Sequence, residues 1–122
     1  MLTQEYRELI EVLVQKTDMG IIHWQKGRSR FAYEVKAGAN MFIVDKYFAG
    51  SHNDACLNLS TIDAKGNLVL EIVLCRGINE QVDDYGRLGT LYSRVEQRVN
   101  NGAIQEEIPV VTSITQSLQQ VV

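Results

Sequence analysis

Two cysteines and two histidines are the residues of this chain that could support nucleophilic catalysis. A thiol nucleophile needs a base within hydrogen-bond reach and a third group that orients the base. The candidate nucleophiles are Cys56 and Cys75, and the candidate bases are His23 and His52. Their spacing does not bring any of them together, and no catalytic signature surrounds either cysteine. We therefore interpret both cysteines as free thiols that pack as small apolar side chains.

Two short polar segments could offer metal ligands, residues 52–54 (HND) and residues 79–84 (NEQVDD). Zinc needs three or four convergent ligands and calcium needs a loop of regularly spaced oxygen atoms, and neither pattern is present. The sequence also lacks the glycine-rich motifs that hold nucleotide phosphates. We expect no metal and no cofactor, and a thiol- or metal-dependent hydrolase is the least favoured function.

The densest basic cluster follows the only tryptophan, Trp24, in the sequence WQKGRSR. Lys26, Arg28 and Arg30 could grip a phosphate backbone while the tryptophan ring stacks on a base. The net charge of the chain is −3 at pH 7, however, so three cations would give weak, salt-sensitive binding. We interpret these residues as a solvated hairpin loop, with Gly27 able to take a positive φ, and expect no nucleic-acid partner.

The bulk properties are those of an ordinary globular chain. A length of 122 residues suits one domain, so we expect a single domain over residues 1–122. No apolar run approaches the roughly 20 residues that cross a bilayer, and the start MLTQEYRELI lacks the basic and apolar regions of a signal peptide. Two cysteines without a disulfide framework agree with a reducing compartment. These features predict a cytoplasmic protein without a membrane partner.

The N-terminal region has the period of an amphipathic helix. Between Thr3 and Lys16 the apolar residues form one stripe at helical spacing: Tyr6, Leu9, Ile10, Leu13 and Val14. Gly20 suits the left-handed residue that ends a helix. Beyond it Ile22 and Trp24 alternate with polar residues, which predicts a first strand in which Trp24 packs against the helix.

Two hairpins follow. RFAYEVK and MFIVDKYF are joined by AGAN, with a two-residue turn at Gly38 and Ala39. ACLNLSTI and NLVLEIVLC are joined by DAKG, in which Asp63 starts a turn and Gly66 supplies a positive φ. Pairing across these turns predicts an inner, core-facing surface made of Phe31, Tyr33, Val35, Phe42, Val44, Leu57, Leu59, Thr61, Leu68, Leu70, Ile72 and Leu74.

The helical period returns at Asp83 and predicts a helix that ends near Gly102. Gly86 and Gly89 lie beside its apolar stripe, each at a cost of up to about 1 kcal/mol relative to alanine. This cost indicates that something approaches the helix backbone closely. The first explanation is another helix, and the second is a ligand. A last short helix is predicted to begin near Pro109.

The order of these elements predicts an α+β fold. It consists of an N-terminal helix, an antiparallel meander of about five strands and two C-terminal helices packed on one face of the sheet. All the helices should cover the leucine-rich inner face, because a sheet buries one face before the other.

One resemblance extends over most of the chain. The spacing K-T-x-x-G-x-I-x-W, at Lys16, Thr17, Gly20, Ile22 and Trp24, resembles that of small bacterial proteins of unknown function. In those proteins a helix ends in this motif, a β-meander contains a D-x-x-G turn and a later helix carries an L-x-x-L-Y element. The counterparts here are Asp63, Gly66, Leu88, Leu91 and Tyr92. The resemblance implies this architecture and a bacterial or phage origin, and it carries no chemistry.

The outer face of the predicted sheet is more apolar than a solvated face usually is. The residues that should project from it are Met41, Ile43, Tyr47, Cys56, Val69, Val73 and Cys75. We therefore predict a small non-enzymatic interaction or regulatory module, partnered by another copy of the chain or by another protein, with a homodimer favoured. The alternative is a small-ligand or effector site near Trp24, His52, Asp54, Gly86 and Gly89.

Overall fold

The structure, a computed structural model, describes residues 2–50, 53–77 and 83–101. Helix α1 spans Gln4–Asp18 and is followed by five strands: β1 (Gln25–Lys26), β2 (Tyr33–Ala37), β3 (Asn40–Ala49), β4 (Asp54–Ile62) and β5 (Leu68–Cys75). Helix α2 covers residues 83–101. The predicted α+β fold with an N-terminal helix, an antiparallel sheet and a C-terminal helix is confirmed. The helix predicted near Pro109 lies outside the described residues.

The five strands form one antiparallel sheet in the order β1-β2-β3-β4-β5. The predicted turn at Gly38 and Ala39 is confirmed, since Ala37 pairs with Asn40 and Gly38 has a φ of 64°. At the β4–β5 turn the carboxylate of Asp63 accepts hydrogen bonds from two backbone amides, each at 2.9 Å. Gly66 supplies the positive φ that this turn requires, at 86°. Turn chemistry therefore sets both hairpins.

Both helices cover the predicted inner face. Leu57 and Leu59 of β4 are 4% and 0% exposed, and they belong to one core with side chains of both helices. The buried members of this core are Ile10, Leu13, Trp24, Tyr33, Val35, Val44, Leu57, Leu59, Ile72, Leu74, Leu88, Leu91, Tyr92 and Val95. Each large aliphatic side chain buried there contributes about 1.5–3 kcal/mol relative to an exposed one. The assignment of inside and outside from the two-residue period is confirmed.

Three parts of the predicted pattern are wrong. β1 begins only at Gln25, because Trp24 and Ile22 pack with the helices instead of entering the sheet. Leu68 is 56% exposed because a bulge shifts the β4–β5 register and pairs it with the outer-face residue Ile62. Phe31 lies before β2 and is 42% exposed.

The two helices run in the same direction and are joined by ion pairs at both ends. At the N-terminal end Asp84, 2% exposed, accepts hydrogen bonds from the backbone amide of Leu2 at 2.9 Å and from Nε of Arg7 at 3.0 Å. At the C-terminal end Arg94 pairs with the carboxylate of Asp18 at 3.5 Å, and the guanidinium of Arg98 donates to the carbonyl of Asp18. These contacts fix the axial position of α2 on α1.

No helix in the part of the chain that the structure describes is long and apolar enough to cross a bilayer.

Candidate functional site on the outer sheet face

A groove of about 580 Å³ lies on the outer face of the sheet, at the end where the β2–β3 and β4–β5 turns meet. Its floor is apolar and consists of Met41 and Ile43 from β3 and Ile62 from β4. Arg28, Lys36, Glu34 and Asp63 provide the charged groups of its lining. Two of the residues predicted to project from the outer face, Met41 and Ile43, therefore lie in a concave surface and not in a flat one.

One wall of the groove is the loop between β1 and β2, residues 27–32. The hydroxyl of Ser29 donates to the carboxylate of Asp45 at 3.1 Å, and Asp45 lies on the outer face of β3. The loop is closed by a hydrogen bond from the amide of Gly27 to the carbonyl of Ala32 at 2.8 Å. The basic side chains in and next to this loop, Lys26, Arg28 and Arg30, are exposed, as predicted for a solvated hairpin, and Arg28 also lines the groove.

Gly27 is required by close packing and not by its φ. The glycines with a positive φ in the described residues are Gly20, Gly38, Gly50 and Gly66. A Cβ atom at Gly27 would lie 3.0 Å from Cβ of Ala32 and 3.2 Å from its backbone. The expectation of a positive φ at Gly27 is therefore wrong, and the loop closes tightly because this residue has no side chain.

The acidic side chains that line the groove accept hydrogen bonds, whereas its basic side chains form no ion pair among the described residues. The carboxylate of Asp63 accepts backbone hydrogen bonds in its own turn, and the carboxylate of Glu34 accepts one from the side chain of Gln25 at 3.5 Å. Within residues 2–50, 53–77 and 83–101, neither Arg28 nor Lys36 takes part in an ion pair. The groove consequently offers an apolar floor beside two cations that an anionic group can approach.

The middle of the outer face is polar. Ser60 donates to the side-chain oxygen of Asn58 at 2.6 Å, and the amide nitrogen of Asn58 donates to the carboxylate of Glu71 at 3.1 Å. Val73, 39% exposed, lies directly opposite Asn58 on β5, and Tyr47, also 39% exposed, lies on β3. The outer face therefore carries hydrogen-bonded polar side chains as well as exposed apolar ones.

The two cysteines form a disulfide between β4 and β5. Cys56 and Cys75 are directly opposite in the strand register, with their Cα atoms 4.1 Å apart, as in a pair that exchanges no backbone hydrogen bonds. The interpretation of both cysteines as free thiols is wrong. Cys56 is fully buried, so it adds no accessible surface to the outer face.

The other residues considered for a thiol or metal site lie only partly within the described residues. His23 is exposed next to the buried Trp24, and His52 lies outside the described residues. Across the described residues, no group of three histidine, cysteine or acidic side chains is placed to hold a metal ion.

Trp24 serves the core. Its ring is 8% exposed, and Nε1 donates to the hydroxyl of Thr17 at 2.9 Å. That hydroxyl donates in turn to the carbonyl of Leu13 at 2.6 Å. The K-T-x-x-G-x-I-x-W motif is thereby explained in part, because Thr17 and Trp24 join the end of α1 to the entry of the sheet while Gly20, at φ 71°, turns the chain between them. Base stacking on Trp24 would require its ring to leave the core.

The remaining residues of the predicted ligand site occupy different positions. A Cβ at Gly89 would lie 3.6 Å from the Leu57 side chain, whereas one at Gly86 would meet nothing within 4 Å among the described residues. The contact at Gly89 is an ordinary van der Waals distance to a side chain of the sheet, so the close approach to another helix expected from these glycines is not observed among the described residues. Asp54 begins β4 and lies against Gly77, where a Cβ would be 2.5 Å from its carboxylate. None of these residues lines the outer groove.

A tyrosine pair was not anticipated from the sequence. The hydroxyl of Tyr92 donates to the carbonyl of Phe31 at 2.6 Å, and its ring meets that of Tyr33 edge to face with centroids 5.7 Å apart. Burial, followed by the electrostatic influence of Tyr33, Glu96 and Asp45, raises the pKa of Tyr92. The L-x-x-L-Y element therefore anchors α2 to the segment that precedes β2.

Comparison of the chain with protein-family models, with curated proteins and with solved structures found no match.

Proposed function

We propose that this chain is a small non-enzymatic protein-interaction module that associates with a second copy of itself through the outer side of its sheet. The observation that carries this proposal is the distribution of exposed apolar side chains on the sheet. Both helices lie on the inner face, while Val69 is 57% exposed and Val73 and Tyr47 are each 39% exposed on the other side. Contiguous apolar patches on a folded domain are typical of surfaces that meet a partner.

The test compares the association of the wild-type chain with that of two charge substitutions, followed by light scattering over a range of concentrations. Val73→Glu places a charge on the outer side of β5. Val12→Glu places the same charge on α1, where Val12 is 46% exposed, and serves as the matched control. We expect a reversible dimer whose dissociation constant rises at least about tenfold in Val73→Glu, equivalent to about 1.4 kcal/mol, and changes little in Val12→Glu. A wild type that stays monomeric, or equal effects of the two substitutions, would contradict the proposal.

The outer groove favours a second candidate function, the binding of a small ligand or effector. Its volume of about 580 Å³ falls within the range of about 300–1,000 Å³ that is usual for small-molecule sites. An apolar floor next to Arg28 and Lys36 suits an anionic ligand with an apolar body.

A thermal-shift screen with aliphatic carboxylates and organic phosphates tests this second function. A ligand present at 100 times its dissociation constant adds about 2.7 kcal/mol to the free energy of unfolding. We expect the shift to disappear in Ile43→Glu and to weaken in Lys36→Ala. Absence of any shift in the wild type, or a shift that survives both substitutions, would reject a site in the groove.

A further inference from the structure

β5 is the last strand on one side of the sheet, and among the described residues no strand pairs with its far side. It runs for eight residues without a proline and carries a single charged residue, Glu71. Leu68, Val69 and Val73 are among its exposed side chains. An edge strand of this length and composition is a template for pairing with another strand.

The strand register shows which backbone groups of β5 face outward. The amide of Arg76 donates to the carbonyl of Ala55 at 2.9 Å, which marks this pair as a hydrogen-bonded one. Hydrogen-bonded and non-hydrogen-bonded pairs alternate along an antiparallel ladder. Val73 and Glu71 lie three and five residues before Arg76 in this register, so they belong to the pairs that are not hydrogen-bonded to β4. Their N–H and C=O groups therefore point away from β4.

The opposite edge of the sheet is protected. β1 contains only Gln25 and Lys26, both exposed, and the ammonium group of Lys26 donates to the carbonyl of Arg30 at 3.0 Å. Short, charged edge strands discourage pairing. Pairing of β5 with the β1 edge of another copy would continue as an open polymer, and the short, charged β1 edge disfavours it. Pairing of β5 with β5 of a second copy closes after two copies.

The polar row of the outer face favours an edge contact over packing of the whole outer face against a second sheet. Ser60, Asn58 and Glu71 form a hydrogen-bonded chain across β4 and β5. Face-to-face packing would remove this chain from water, at a cost in desolvation. Edge pairing leaves the row at the surface and still covers part of Val73.

We propose that two copies of the chain join edge to edge along β5, in antiparallel orientation, to form one continuous sheet. This inference rests on the proposed self-association and specifies its geometry. A two-fold axis beside Ile72 would place Glu71 opposite the partner's Val73, so that the outward backbone groups of both copies are satisfied. A register that places Glu71 opposite Glu71 of the second copy is disfavoured, because two negative charges would face each other.

The direct test is amide hydrogen exchange of the wild-type chain, measured by NMR below and above the dimer dissociation constant. We expect exchange at Glu71 and Val73 to slow at least about tenfold as the dimer forms, because their amides gain partners. The amides of Ile72 and Leu74 point to β4, so they are protected in both states and serve as internal controls.

A backbone substitution provides the second arm. Val73→Pro removes one outward N–H without removing a β4–β5 hydrogen bond, which an edge strand tolerates, whereas Val73→Ile keeps both the amide and an apolar side chain. We expect Val73→Pro to weaken dimerisation at least about tenfold and Val73→Ile to change it less than about threefold. Circular dichroism of the monomers verifies that both variants are folded.

The outcomes separate the two proposals. A dimer in which Glu71 and Val73 exchange as fast as in the monomer overturns the edge geometry and leaves self-association through the outer face intact. A wild type with no dimer at any concentration overturns both. If protection at Glu71 and Val73 is already complete in the monomer, another segment of the same chain covers the edge, and the inference is wrong.

Discussion

At the residue scale, the contact between Thr17 and Trp24 determines how the first helix meets the sheet. The indole N–H and the threonine hydroxyl satisfy each other in the core, and the hydroxyl also satisfies a helix carbonyl. Sequence reasoning placed Trp24 against the helix correctly, because a large ring beside a helix end packs there at little cost. It could not identify Thr17 as the partner, since the helical period marks apolar residues and Thr17 is polar.

We expect Thr17→Val to reduce the free energy of unfolding by about 1–3 kcal/mol, because the indole N–H loses its acceptor inside the core. Thr17→Ser keeps the hydroxyl and should cost less than this. Urea unfolding followed by the fluorescence of Trp24, the only tryptophan, measures both variants. A larger loss in Thr17→Ser than in Thr17→Val would show that the methyl group, and not the hydrogen bond, is what matters.

Asp84 gives the protein a predictable response to acid. Burial alone would raise its pKa, but the amide of Leu2 and the guanidinium of Arg7 stabilise the carboxylate and lower the pKa below its usual value. A carboxyl group whose pKa is lowered in the folded state contributes stability above its unfolded pKa of about 3.9. That contribution is lost as the pH falls through the folded pKa.

We therefore expect Asp84→Asn to lower the free energy of unfolding at pH 7 by about 1.5–3 kcal/mol, the usual value of hydrogen bonds to a charged group. The difference from the wild type should shrink as the pH falls below 4. Urea unfolding at a series of pH values provides the measurement, with Asp83→Asn as the exposed control on the same helix turn. A difference that is independent of pH would show that the charge of Asp84 has no role.

At the element scale, the disulfide closes the β4–β5 hairpin at the end opposite its turn. The two cysteines are separated by 19 residues, and closing a loop of about 15 residues removes about 3 kcal/mol of chain entropy from the unfolded state in the loop-entropy model. The sequence could not establish this pairing, because a bulge between β4 and β5 shifts the register and is not visible in the two-residue period. The disulfide also removes one support for a cytoplasmic location, which stays a prediction.

Reduction of the disulfide should lower the free energy of unfolding by about 2–3 kcal/mol. The double variant Cys56→Ser with Cys75→Ser should have the lower stability whether or not a reductant is present. Urea unfolding with and without dithiothreitol measures this, and a thiol titration of the unfolded chain reports the bond itself. Two reactive thiols in the absence of reductant would contradict the pairing.

At the scale of the whole molecule, the sequence predicts which face of the sheet the helices cover, but it does not predict the groove on the other face. The alternation around Leu57 and Leu59 and the turn residues at Asp63 and Gly66 are local signals, and they sufficed to place the helices over the correct sheet face. The groove depends on the loop that carries Arg28 folding back onto the sheet. The hydrogen bond between Ser29 and Asp45, which are 16 residues apart, joins this loop to β3, and no local pattern encodes such a contact.

The hydrogen-bonded polar row of the outer face also depends on contacts between residues that are brought together only by the fold. Polar residues such as Asn58 and Ser60 alternate correctly with the buried leucines, so their face is predictable. Their mutual hydrogen bonds, and the contrast between the exposed β5 edge and the two-residue β1 edge, emerge only when the strands are ordered in space. We therefore propose that the outer side and edge of the sheet serve interaction, while the helical layer stabilises the fold through the shared core.

Sedimentation equilibrium of the wild-type chain, from low micromolar concentration to about 1 mM, tests the central claim most directly, because a dimer weaker than 1 mM has less than about 4.1 kcal/mol of binding free energy. The account predicts that the weight-average mass rises reversibly from that of one chain towards that of two and does not continue beyond it. A mass that stays at one chain throughout the range, or that grows without limit, would contradict it.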